Sequence, residues 1–170
     1  MKSLVIGILL LAAVLATGYW LTQCPCDDVP GAWLSGDVEK AAVEDWTFAN
    51  DVGLCQLEVP SLIPHSVTLN CMSINELLYI SCARCEGKHW SAIALESRRG
   101  RIRIGESIYP VSLARVTDGS ELDVVWRARA LKMAALRGDD PANGSPEPRP
   151  DHWWSFRLAS PGSSSLPQDS

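Results

Sequence analysis

The stretch LCQLEVPSLIPHSVTLNC, residues 54–71, decides the fold. Residues 54–59 alternate apolar with polar side chains and stop at Pro60, and residues 65–71 alternate again after Pro64. A two-residue period marks half-buried strands, and a short proline-bounded connection joins them as an antiparallel hairpin. Working outward, LLYISC at residues 77–82 follows a turn at Asn75 and gives a third strand. KHWSAIALES at residues 88–97 has apolar spacing that predicts a short helix. Two further strands are predicted at residues 101–104 and 109–116, broken by Gly105 and Pro110. The string TDGS at residues 117–120 caps a second helix over residues 121–137, with Leu122, Val125, Trp126, Arg129 and Met133 as its inward stripe. Residues 153–158 supply a closing strand. The order β-β-β-α-β-β-α-β predicts a mainly β, α+β fold: a small antiparallel split barrel with flanking helices.

Around this domain, read as residues 46–160, the chain changes character. Residues 4–22 carry no charge, and their first half is almost purely aliphatic. About 20 apolar residues match the roughly 30 Å of bilayer hydrocarbon, so an N-terminal transmembrane helix is expected. Tyr19 and Trp20 stand at its outer end, and Lys2 precedes it. Two rival readings are a signal peptide cut after Gly18 and a lipoprotein acylated at Cys24. All three place the rest of the chain outside the cytosol, on the periplasmic or extracellular face. Residues 23–45 read as a tether, residues 138–150 with their four prolines as a surface loop, and residues 161–170 as a disordered tail. The net charge of −5 and pI near 5.1 give no basic footprint for nucleic acid.

Cysteines are the first candidate chemistry. Cys55, Cys71 and Cys82 fall on core-facing positions of their strands, and Cys85 completes Cys82-Ala-Arg-Cys85. Disulfides within an oxidising compartment, buried free thiols, and a zinc or iron–sulfur centre all remain open, as does thiol redox chemistry with Arg84 between the cysteines. Cys24 and Cys26 are acylated, paired or idle. No nucleophile elbow, phosphate-binding P-loop, zinc-protease or dinucleotide-binding motif occurs. Lys88 opens a helix whose free N–H groups favour an anion, with Ser81 and Arg84 nearby in sequence. Ser66, Thr68 and Asn70 share one strand face, to line a ligand or meet water. His65 caps a turn or acts as an acid–base group. Arg98, Arg99, Arg101 and Arg103 make a basic run, either a solvated helix end or a contact for an acidic cofactor or headgroup.

Several short strings, taken with the element order, resemble the FMN-binding split-barrel superfamily, which includes pyridoxamine-phosphate-oxidase-like and deazaflavin-dependent nitroreductase-like proteins. The strings are HSVTLN at residues 65–70, YIS at 79–81, GK at 87–88, RIG at 103–105 and IYP at 108–110, and the resemblance covers about residues 46–129. It implies a homodimer with FMN or a deazaflavin in a groove at the subunit interface. It nominates His65, Ser66, Val67, Thr68 and Asn70 on one strand, Ile80 and Ser81 on the next, and Lys88 with Trp90 at the helix. Where the oxidases have an arginine opening this strand and a lysine closing it, the chain has His65 and Asn70. Two functions are therefore expected: a membrane-anchored, extracytoplasmic flavin or deazaflavin oxidoreductase, or a non-enzymatic, disulfide-stabilised envelope module with a degenerate cofactor site.

Overall fold

The computed structural model describes residues 2–21, 25, 29–139 and 148–163. Cys24, Cys26, most of the proline-rich loop and most of the C-terminal tail lie outside them. The elements are α1 (Lys2–Leu21), β1 (Asp37–Val38), a 3-10 turn (Thr47–Asn50), β2 (Cys55–Val59), β3 (His65–Ile74), β4 (Leu77–Ala83), α2 (His89–Ser97), β5 (Arg99–Ile104), β6 (Ser107–Arg115), α3 (Gly119–Arg137) and β7 (Trp153–Ala159).

Six strands, β2 to β7, close on themselves in the order β6-β5-β2-β3-β4-β7, with β7 returning to β6. Every pairing within this ring is antiparallel. The predicted hairpin is β2–β3, paired from Cys55↔Leu69 to Val59↔His65. Alternation then sends Cys55, Leu57 and Val59 inward with Leu69 and Cys71, where they meet Ile80, Ile102, Leu113, Phe156 and Leu158 in the barrel core. Each of the larger aliphatic side chains buried there contributes roughly 1.5–3 kcal/mol. Pro110 does not break a strand as expected. It lies inside β6, between the residues paired with β1 and those paired with β7, where one edge of β6 carries no strand and a proline is tolerated.

The cysteines pair as Cys55–Cys71 and Cys82–Cys85, each with Cα atoms 5.8 Å apart. The first pair follows from the register: Cys55 opposes Leu69, so Cys71 is its diagonal neighbour on the inner face. Sulfurs bonded to each other are not available to a zinc or iron–sulfur centre.

Helix α3 begins where predicted, its N-cap Asp118 accepting from the Glu121 amide at 2.8 Å. Its inward stripe is narrower than expected, because only Val125 is buried. Val125 packs with Met72, Tyr79 and Val116 on the outside of the barrel. Trp126 and Arg129 instead stack against Trp153. Lys132 fastens the helix to the barrel wall, donating to the carbonyls of Ala49 (2.7 Å) and Cys71 (2.6 Å), and burial pushes its pKa down to about 8.

Two expectations about the N-terminal region change. The helix α1 forms over 20 residues with its described apolar side chains exposed. Among the described residues, however, no helix is long and apolar enough to cross a membrane. Nor is the stretch from Val29 to Glu39 a free tether. Gly31 pairs with Ser66 through two 2.9 Å backbone hydrogen bonds, Ala32 and Leu34 are buried, and β1 runs parallel to β6. This strap packs on the barrel because its backbone finds the strand edges that the ring leaves unpaired.

Candidate functional site

The split in the barrel comes from unequal strand lengths. β4 pairs with β3 only from Asn70 onward, while its other edge pairs with β7 from Leu78 to Ala83; beyond Ser81 it has β7 alone, and the chain then turns into α2. The first half of β3 thus has β2 on one edge and no barrel strand on the other. Between that edge and the start of α2 lies an open cavity of about 250 Å³, lined by Val29, Pro30, His65, Val67, Thr68, Leu69, Lys88, His89 and Trp90. Lys88 is the N-cap of α2 and provides no side-chain cap, so the first-turn N–H groups keep their capacity to bind an anion. Ser91 steadies this turn, its hydroxyl donating to the carbonyls of Cys85 and Lys88. Among the described residues, no carboxylate lines the cavity.

His65 and His89 meet edge to face with ring centroids 5.2 Å apart. Burial, and then the neighbouring His89, lower the His65 pKa below its ordinary value. With a lowered folded value, the unfolded chain binds this proton first as pH falls. His65 therefore withdraws stability below about pH 6.5, and none of this effect is present above that. Urea titrations across pH 5 to 7 are expected to show a shallower stability loss in His65→Gln than in the parent chain. An equal slope in both would remove His65 from this role.

Five nominated residues, His65, Val67, Thr68, Lys88 and Trp90, come together in this cavity. The other four do not. Ile80 is a fully buried core residue, and Ser81 is buried with its hydroxyl 3.0 Å from that of Ser155. Ser66 and Asn70 stand with Thr68 on the outer face of β3, next to Gln56 and Glu58 of β2. Sequence reading missed His89 and Leu69, although His89 adjoins Lys88. It also missed Gln56, which occupies the matching polar position of β2.

That outer face has a distinct character. The Gln56 Oε1, Ser66 Oγ and Asn70 Oδ1 atoms are buried and make no hydrogen bond among the described residues. Buried polar atoms are rarely left so, and a group of three on adjoining strands suits a polar ligand. The strap crosses the same face. Pro25 O accepts from Gln56 (3.0 Å) and from Thr68 Oγ1 (3.5 Å), and Arg103 donates to Ser35 O at 3.1 Å. Glu58 takes a bidentate ion pair from Arg101 (2.9 and 2.6 Å) and also accepts the Leu34 amide at 2.6 Å. For a flavin, the fit is therefore divided. Lys88, His65, Thr68 and the α2 N-terminus suit its phosphate-bearing arm. A cavity of about 250 Å³ lies below the roughly 300–1,000 Å³ of whole-ligand pockets, and the strap covers the neighbouring sheet face.

No protein family matches the chain, and no curated protein matches it. Among solved structures, it is similar to a Listeria innocua protein provisionally called a pyridoxamine 5'-phosphate oxidase, with 8% identity over 65% of this chain and 86% of that one, at a TM-score of 0.48. It is similar to a Bacteroides thetaiotaomicron protein provisionally assigned to 5-nitroimidazole antibiotic resistance, with 11% identity over 69% and 81% of the two chains and a TM-score of 0.48. A pyridoxamine 5'-phosphate oxidase-related, FMN-binding protein from Nostoc punctiforme matches at 15% identity over 66% and 72%, with a TM-score of 0.36. At these scores the likenesses carry no argument about the site. The chain's own strand order is that of a six-stranded antiparallel barrel, and pyridoxamine-phosphate-oxidase-like proteins, which the sequence resemblance names, are among the solved structures it is similar to.

Proposed function

We propose that the chain is a flavin-binding split-barrel protein of the oxidoreductase type, associated with a membrane through α1 and working as a homodimer outside the cytosol. The observation that carries the reading is the set of buried polar atoms on Gln56, Ser66 and Asn70 that make no hydrogen bond among the described residues, beside a cavity where Lys88, His65 and Thr68 meet a helix N-terminus. Lys88 and the α2 amides would hold the phosphate of FMN, or of a deazaflavin, and Thr68 would orient the arm. The flavin-type ring supplies hydride or electron transfer when bound, and the protein supplies position and field. Two disulfides support an oxidising compartment. The exposed apolar side chains of α1 support a lipid-facing role for that helix.

Titration of the full chain in non-ionic detergent with FMN, a deazaflavin and riboflavin tests this reading. Loss of one charge-assisted contact costs about 1.5–3 kcal/mol, so Lys88→Ala is expected to weaken FMN binding by about tenfold or more. Riboflavin, which lacks the phosphate, should be indifferent to the change. Failure of both FMN and the deazaflavin to bind would sink the proposal.

The strap favours a second reading, a non-enzymatic envelope module in which residues 29–35 fill in cis the face that a cofactor would take. On that reading, releasing the strap leaves flavin affinity unchanged.

A further inference from the structure

The loop that joins β2 to β3, residues 60–64 (PSLIP), ends the first hairpin on an apolar point. Leu62 is 102% exposed and Ile63 47%, at a position where hairpin loops ordinarily carry polar or turn-forming residues. The loop is stiff. A proline with fixed φ stands at each end, and the Ser61 hydroxyl donates to the Ile63 carbonyl across the apex. Of the five residues, only Ser61, Leu62 and Ile63 have a backbone N–H. The strap adds an aromatic ring. Gly31 is bonded to Ser66 and the Leu34 amide to Glu58, and Ser66↔Glu58 is the pair next to the hairpin's last, Val59↔His65. Trp33, half-exposed, therefore crosses the hairpin about 10 Å from Ile63 along the strand.

We propose that this end of the hairpin is a membrane contact, which seats Leu62, Ile63 and Trp33 in the headgroup and outer acyl layer of a phospholipid bilayer. The proposal rests on α1 facing lipid and adds a second contact point to that reading. Pro25, whose carbonyl accepts from Gln56 and Thr68 of this same hairpin, is four residues beyond the end of α1, at most about 14 Å of extended chain. The hairpin is thus tethered beside the surface that α1 occupies. One interfacial segment holds a bilayer reversibly, and a second on the same chain strengthens the hold because it acts at high local concentration. The chemistry of the tip selects lipid over protein. Three side chains on a protruding loop cover on the order of a few hundred Å², below the roughly 800 Å² that each partner of a stable protein interface buries. Few backbone donors, and a carbonyl already satisfied by Ser61, lower the cost of leaving water, while a tryptophan ring favours the headgroup layer.

The experiment reconstitutes the full chain into phosphatidylcholine vesicles, with and without bromine on the acyl chains, and adds one tryptophan at a time. Leu62→Trp reads the tip, and Leu136→Trp, at an exposed position in the last turn of α3, is the control. Both sites face water, so both variants are expected to keep the thermal midpoint of the parent chain. Flotation with the vesicles reads α1, and the emission that each variant adds over the parent reads the surroundings of the new ring. In brominated vesicles the added emission of Leu62→Trp is expected to fall by at least about half, because a ring at the headgroup boundary lies within reach of the bromines, while that of Leu136→Trp holds. A chain that floats but leaves Leu62→Trp unquenched overturns the proposal and spares the reading of α1, and a blue-shifted emission in that case assigns the tip to a protein such as a second copy. Equal quenching at both positions also overturns it, since the barrel then rests on lipid without a preferred face. A chain that does not float removes the reading of α1 and this contact with it.

Discussion

Replacing Cys55 and Cys71 together by alanine is expected to lower the stability of the barrel by about 3 kcal/mol, the value for cross-linking a loop of roughly 16 residues. The two residues are buried on the inner face of the first hairpin. That hairpin carries β5 on its other side and the strap on its outer face, so its loosening reaches the whole site. Double replacement of Cys82 and Cys85, three positions apart, is expected to cost only about half as much, because a short loop has little closure entropy to lose. Urea unfolding of the two double variants, with the reduced parent chain alongside, checks both numbers. Equal midpoints in the parent and the Cys55/Cys71 variant would show that this disulfide does not hold the fold. A marked loss would mean that the chain depends on a compartment in which the bond can form.

Glu58→Ala is the second large effect. Glu58 is almost wholly buried on the outer face of β2 and serves three donors, two on Arg101 and one on the Leu34 amide. Removing one member of a buried pair strands the other charge, at about 3–5 kcal/mol for full burial. The Arg101 side chain is 33% exposed, so water recovers part of this and a loss of about 2–3 kcal/mol is expected. Unlike the disulfide change, the substitution acts on the strap directly, because the Leu34 amide loses its acceptor. Limited proteolysis should therefore cut the Glu58→Ala chain within residues 29–35 well before the parent. The same variant separates the two functional readings. If the strap is a cover over a flavin face, FMN affinity rises when it is released. If the strap permanently replaces the cofactor, FMN affinity stays as low as before while the strap becomes cleavable.

Much of the fold was legible because its signals are local. The alternation in residues 54–71 sets which side chains face inward, and the proline-bounded loop fixes the hairpin. Together these place Cys55 near Cys71. The TDGS cap and the apolar spacing of the two barrel-flanking helices locate α2 and α3 to within two residues. The candidate site was legible only in part. Thr68, Lys88 and Trp90 could be picked from strand and helix positions, yet nothing local reveals that Ser81 faces Ser155, a residue 74 positions away. The shorter inward stripe of α3 has the same origin. Trp126 and Arg129 have the spacing of core residues, but Trp153 of the last strand draws them to the surface.

By itself, then, the sequence determined the order of the six barrel strands and the two flanking helices, the inner and outer faces of the first hairpin, and the apolar N-terminal helix. These follow from backbone geometry and the two- and 3.6-residue periods. Only the tertiary structure decided that residues 29–39 lie along the barrel, that β4 leaves β3 at Asn70 to open the Lys88 cavity, and that Trp33 crosses the first hairpin near its tip. The physical reason is that unpaired strand edges and the segments that cover them are far apart in sequence, and their meeting is set by how the barrel closes.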